Sequence, residues 1–122
     1  MEILHAPVVI DPQAIADLRA LNPDDGGEFL REIIGIFLAD TPLRIVELEQ
    51  TLATGDVAAF TRAAHSIKGS SSNLGALALK AAAAQLEHRS RTLGLDGAGT
   101  FIPAIRAEFA RAQAELNTLL AK

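Results

Sequence analysis

The chain has 122 residues and a mass of 12.9 kDa, enough for one compact core and too short for two comfortable domains. A net charge of −4, from 11 basic and 15 acidic residues, with no Lys/Arg cluster interleaved with aromatics, excludes a nucleic-acid surface. The absence of cysteine excludes a disulfide framework, a thiolate nucleophile and a cysteine-ligated metal site.

Residues 1–11 form an apolar lead-in, "MEILHAPVVID", without the basic start and long apolar run of a secretory signal. The longest apolar runs elsewhere, such as "EIIGIFLAD" at 32–40, fall short of the roughly 20 residues that cross a membrane. From residue 12 to 122 the composition reads as one helical domain: 49% of the chain is hydrophobic, Trp and Tyr are absent, and Ala and Leu dominate the apolar set.

Asp11 and Pro12 supply an N-cap and a first-turn proline for a short helix over about 12–20, which "LNPDDGG" ends. A second helix spans about 26–53, with Phe29, Ile33, Phe37, Ile45, Leu48 and Leu52 three or four apart. Pro42 removes one hydrogen bond within it, so a kink or local irregularity is expected near residue 41. Gly55 and Asp56 then stop that helix and cap a third, from about 57 toward Asn73, which Gly75 closes. Leu79, Ala82, Ala83, Leu86 and Leu93 mark a fourth helix over about 76–92, followed by the loop "GLDGAGT". Ile105, Phe109, Ala112, Leu116 and Leu119 give a fifth, with Pro103 in its first turn. The expected fold is all-α, an antiparallel four-helix bundle with an additional short N-terminal helix.

The third helix carries the chemistry. At about 100° per residue, Phe60, Ala63, Ile67 and Leu74 fall opposite His65, with Ala64, Ser70 and Ser71 at the edges of that inward side. Ala58, Thr61, Arg62, Lys68, Gly69 and Ser72 share the outward side with His65. A helical histidine is most often just a wet surface residue, but Gly69 costs about 1 kcal/mol relative to Ala at a place that calls for no turn. Arg62 and Lys68, three residues before and after the ring, are placed to compensate an anion carried by it. Neutral imidazole, with an unperturbed pKa of about 6.5, is a competent nucleophile that forms covalent intermediates. A phosphoryl group on His65 fits each of these features.

"HSIKGSSSNLGA", from His65 to Ala76, resembles the motif of histidine-containing phosphotransfer (HPt) domains, which reads approximately His-x-Leu-Lys-Gly-Ser-Ser followed by Leu-Gly. His65, Lys68, Gly69, Ser70, Ser71, Leu74 and Gly75 match, and Ile67 stands for the usual Leu. The upstream Phe29-to-Pro42 pattern, the Gly-Asp before the histidine helix and the Ala-rich helix ending in Leu-Glu extend the resemblance along most of the chain. The resemblance implies that His65 accepts a phosphoryl group from a receiver-domain aspartyl phosphate and passes it to another receiver's aspartate. It implies that Lys68 stabilises charge on the phosphohistidine and that Gly69 clears space for the receiver. It implies no cofactor bound by this domain and no kinase activity of its own, Mg²⁺ belonging to the receiver.

Members of that family often place a Gln or Glu about twenty-two residues after the histidine, which falls here on Glu87, with Gln85 nearby. Glu87 either accepts from Nδ1–H and leaves Nε2 as the nucleophile, or is a solvated residue on an exposed face. Ala58, Thr61 and Ser72, with exposed apolar positions of the second helix, are expected to meet the receiver, although residues 33–38 are apolar almost all round. No metal site is expected: His5 lies in the lead-in, and His65 and His88 share no ligand spacing.

A monomeric, cytoplasmic phosphocarrier is therefore expected, standing alone or as the C-terminal domain of a membrane-tethered hybrid sensor kinase. The main alternative is a helical adaptor that binds a receiver or other protein without phosphate. A histidine-kinase dimerisation domain would need nucleotide-binding glycine motifs that do not follow here.

Overall fold

The computed structural model describes residues 8–121. Among these residues five α-helices follow one another: α1 (Pro12–Leu21), α2 (Glu28–Thr54), α3 (Val57–Asn73), α4 (Leu77–Leu93) and α5 (Ile102–Leu120), with a 3-10 turn at Ala98–Phe101 before α5. α2 packs on α3, α3 on α4, α4 on α5 and α5 back on α2, while α1 lies against α2. Short connections between such neighbours make an antiparallel four-helix ring with one extra short helix. His5 falls outside the described residues.

Local chemistry sets the helix ends. Asp11 accepts from the Gln13 amide and Pro12 occupies the first turn of α1. Asp25 accepts from the amides of Gly27 and Phe29, so α2 begins only at Glu28, two residues later than the pattern suggests. Asp56 caps α3 through the Ala59 amide. The loop after α4 is partly helical, and Arg89 closes it by reaching the Asp96 carbonyl and stacking over Phe101.

α2 runs through Pro42 as one 27-residue helix. The proline is exposed, while Ile34, Phe37, Thr41, Ile45 and Leu48 bury a face that holds the helix on its neighbours. That face resolves the ambiguous stretch at 33–38: Ile34 and Phe37 enter the core, Ile33 and Leu38 are half-buried, and Ile36 faces out. Phe37 meets Phe109 of α5 with ring centroids 5.7 Å apart. Leu93, expected in the stripe of the fourth helix, instead ends α4 in solvent.

The turn between α3 and α4 is packed closely against the start of α1. Gly75 has φ +69°, and a Cβ there would stand 2.5 Å from the Ala14 Cβ. Its carbonyl accepts from the Asp11 amide, and the Val8 carbonyl accepts from the Ala78 amide. Ile10 is buried in the core, so the last residues of the lead-in are fixed against the end of α3 and the start of α4.

Candidate functional site

α3 presents His65 as its helical projection predicts. Phe60, Ala63, Ala64, Ile67 and Ser71 are buried, while Ala58, Arg62, Gly69 and Ser72 are exposed, and Thr61 and Lys68 half-buried. The His65 side chain is 61% exposed, against 3% for that of Glu87 on α4. A buried carboxylate and an open ring thus share one hydrogen bond, Nδ1 to Oε2 at 2.8 Å.

Glu87 has two further cationic partners. Lys68 Nζ lies 2.6 Å from Oε1, and Arg91 Nη2 lies 2.8 Å from Oε2. Burial alone would push the Glu87 carboxyl up, but hydrogen bonds from Lys68 and His65, and the charges of Lys68 and Arg91, hold it below its ordinary value. An ionised carboxylate only accepts, so Nδ1 carries the proton and donates it. The lone pair of the neutral ring is then on Nε2, the nitrogen that Glu87 leaves free. Beneath the carboxylate, the Ser90 hydroxyl bonds the Glu87 carbonyl at 3.0 Å and the Thr61 hydroxyl at 2.7 Å, tying the two helices together one turn from the ring.

Of the two residues on α4 singled out from the sequence, the structure brings only Glu87 to His65. Gln85 is exposed and lines a shallow groove toward α5 with Ala81, Ala82 and Glu108. Two residues along a helix turn the side chain by about 200°, which is why the neighbours of Glu87 diverge. Arg62 is exposed and forms no ion pair among the described residues, so its expected role beside the ring has no contact in this state. Ser71 is buried and bonds the Ile67 carbonyl, a packing role. Sequence reasoning missed Arg91, whose signal was its position four residues after Glu87.

Gly69 has no atom within 4 Å of the place a Cβ would occupy, and its φ is not in the left-handed region. Nothing within the domain requires glycine there. On the α2 side, Ile33, Ile36 and Asp40 border a small groove against Ser70 and Asn73, and Ile36, Leu43 and Val46 are exposed along α2. Among the described residues no helix is long and apolar enough to cross a membrane.

A helical bundle that displays a histidine backed by a buried carboxylate and flanked by a glycine without an internal purpose defines a phosphoryl-carrier class of module. The Hpt domain family matches residues 32–115, and the chain belongs to that family. Its role is histidine phosphotransfer in phosphorelay signalling. Among solved structures, it is similar to histidine-containing phosphotransfer protein B of Pseudomonas aeruginosa, with 30% identity over 90% of this chain and 92% of that one and a TM-score of 0.81. A histidine-containing phosphotransfer protein from maize shares 26% identity over 93% of this chain and 83% of its own, with a TM-score of 0.81. A putative rice counterpart, 23% identical over 93% of this chain and 82% of its own with a TM-score of 0.80, shares the fold. No curated protein sequence matches the chain significantly.

Proposed function

We propose that His65 is the phosphoacceptor, and that Nε2 takes the phosphoryl group from a receiver-domain aspartyl phosphate and returns it to another receiver's aspartate. The observation that carries this reading is the hydrogen bond from Nδ1 to the buried Glu87 carboxylate, which leaves Nε2 bare on a surface where the ring is 61% exposed. Attack forms the Nε2–P bond and breaks the P–O bond to the donor aspartate, whose carboxylate departs. The Nδ1 proton stays where it is, so the phosphorylated ring is cationic and Glu87 is its counter-ion. The domain supplies a positioned nucleophile; Mg²⁺ and the remaining apparatus come with the receiver.

The receiver docks over Ala58, Thr61, Gly69 and Ser72 and extends onto the exposed apolar residues of α2. Small side chains at this place let another backbone approach the ring, and the exposed Ile36 and Leu43 supply the uncharged area that interface cores favour. The domain acts as a monomer in the cytoplasm, where its receivers are.

The test is transfer in Mg²⁺ from phosphorylated receiver domains to the wild type and to His65→Gln. Acid-labile, base-stable label on the wild type alone is expected. Binding to a receiver without label on the wild type would instead favour an adaptor that needs no phosphate.

A further inference from the structure

The Glu87 carboxylate holds more positive charge than the ring alone requires. His65 and Lys68 approach it from α3 and Arg91 from α4, and no other charged side chain among the described residues comes within ion-pairing distance of it. His65 and Arg91 share Oε2, whereas Lys68 has Oε1. In this resting arrangement Lys68 is paired with Glu87, the carboxylate that holds Nδ1 of the ring. An ammonium that turns toward phosphoryl oxygens gives up part of its pairing with Oε1. A carboxylate 3% exposed then relies on Arg91 until the attacking ring itself becomes cationic.

We propose that Arg91 is a positioning residue for phosphoryl transfer: it keeps Glu87 ionised and fixed on the Nδ1 edge of His65 while Lys68 moves from that carboxylate to the phosphoryl group. This rests on His65 being the phosphoacceptor. Arg91 suits the task because its guanidinium stays charged at all working pH values and reaches Glu87 from the next turn of the same helix, so it does not move when α3 meets a receiver. Its side chain is 62% exposed and contributes little to folding, which separates its part in transfer from a part in stability.

The experiment uses phosphoramidate as a small phosphodonor, so that receiver docking plays no part, and follows phosphorylation against pH in the wild type, Arg91→Gln and Arg91→Lys. Thermal unfolding is measured alongside. Arg91→Gln is expected to unfold near the wild-type temperature, to phosphorylate about tenfold more slowly, and to lose rate at a higher pH on the acid side, because one cation fewer beside the ring favours its protonated, non-nucleophilic form. Arg91→Lys is expected to recover most of the rate and of the profile. An Arg91→Gln variant with the wild-type rate and profile overturns the proposal, and so does one that merely unfolds earlier with its profile in place. A wild type that no phosphodonor or phosphorylated receiver labels overturns the phosphoacceptor reading itself, and this proposal with it.

Discussion

Two glycines six residues apart in sequence divide the molecule into a region built for itself and a region built for something else. At Gly75, in the turn between α3 and α4, the backbone is left-handed and the start of α1 presses so close that a methyl group would overlap Ala14. At Gly69, on the outward face of α3, the backbone is helical and nothing beyond its own helix turn lies within 4 Å of the place a Cβ would take. The first glycine stabilises the fold and the second weakens its helix. The same contrast holds around them: Ala76, Leu74 and Ile10 pack into the core at the turn, whereas His65, Arg62 and Ser72 face solvent. A sequence motif that contains both glycines therefore mixes structural and functional requirements, and only packing separates them.

The largest effect that breaks this contrast is Gly75→Ala. It forces an L-residue into a left-handed turn and a Cβ into Ala14, so chemical denaturation should show a loss of at least about 2 kcal/mol. A loss near zero would mean the turn is not the tight junction described. Thr41→Val probes the core side of α2, where the Thr41 hydroxyl is fully buried without a hydrogen-bond partner. Removing that hydroxyl at nearly constant shape should stabilise by about 1 kcal/mol, read as a higher melting temperature with transfer unchanged.

Gly69→Ala sharpens the contrast most. Denaturation should show a gain of about 0.5–1 kcal/mol, while transfer from a phosphorylated receiver slows and labelling by phosphoramidate does not. A variant that gains stability and keeps its receiver rate would remove the argument that Gly69 serves a partner.

For Glu87→Gln the difference from the wild type is present at neutral pH and shrinks in acid. The folded-state pKa of Glu87 is depressed below the ordinary value of 4.5. Its contribution to stability is therefore complete above that value and is lost as pH falls through the depressed one. The wild type should lose stability over that acid window, and Glu87→Gln should lose less when the two are unfolded by denaturant at each pH.

The apolar side of the bundle was legible because it depends on local periodicity. Ile105, Phe109, Ala112 and Leu116 are spaced to share one face of a helix, and that face is buried. The stretch at 33–38 was not legible, since six largely apolar residues in a row carry no phase, and only the position of α3 and α5 decides that Ile34 turns inward and Ile36 outward. The exposed ring of His65 could be read from the wheel, but the partners of Glu87 could not. Whether that carboxylate is solvated or buried depends on how α4 sits against α3, a separation of 22 residues that no helical repeat encodes. Arg91 lay one turn from Glu87 in plain sight, without significance until Glu87 was known to be buried.

The central claim is that Glu87 holds the Nδ1 proton and leaves Nε2 of His65 to take phosphate. Nitrogen NMR of the histidine rings, with and without phosphoramidate, tests it most directly. The account predicts Nδ1–H in the free domain and a phosphorus-coupled Nε2 on His65 after phosphorylation, with both signatures weakened in Glu87→Leu. A phosphoryl group on Nδ1, or on another histidine, would contradict it.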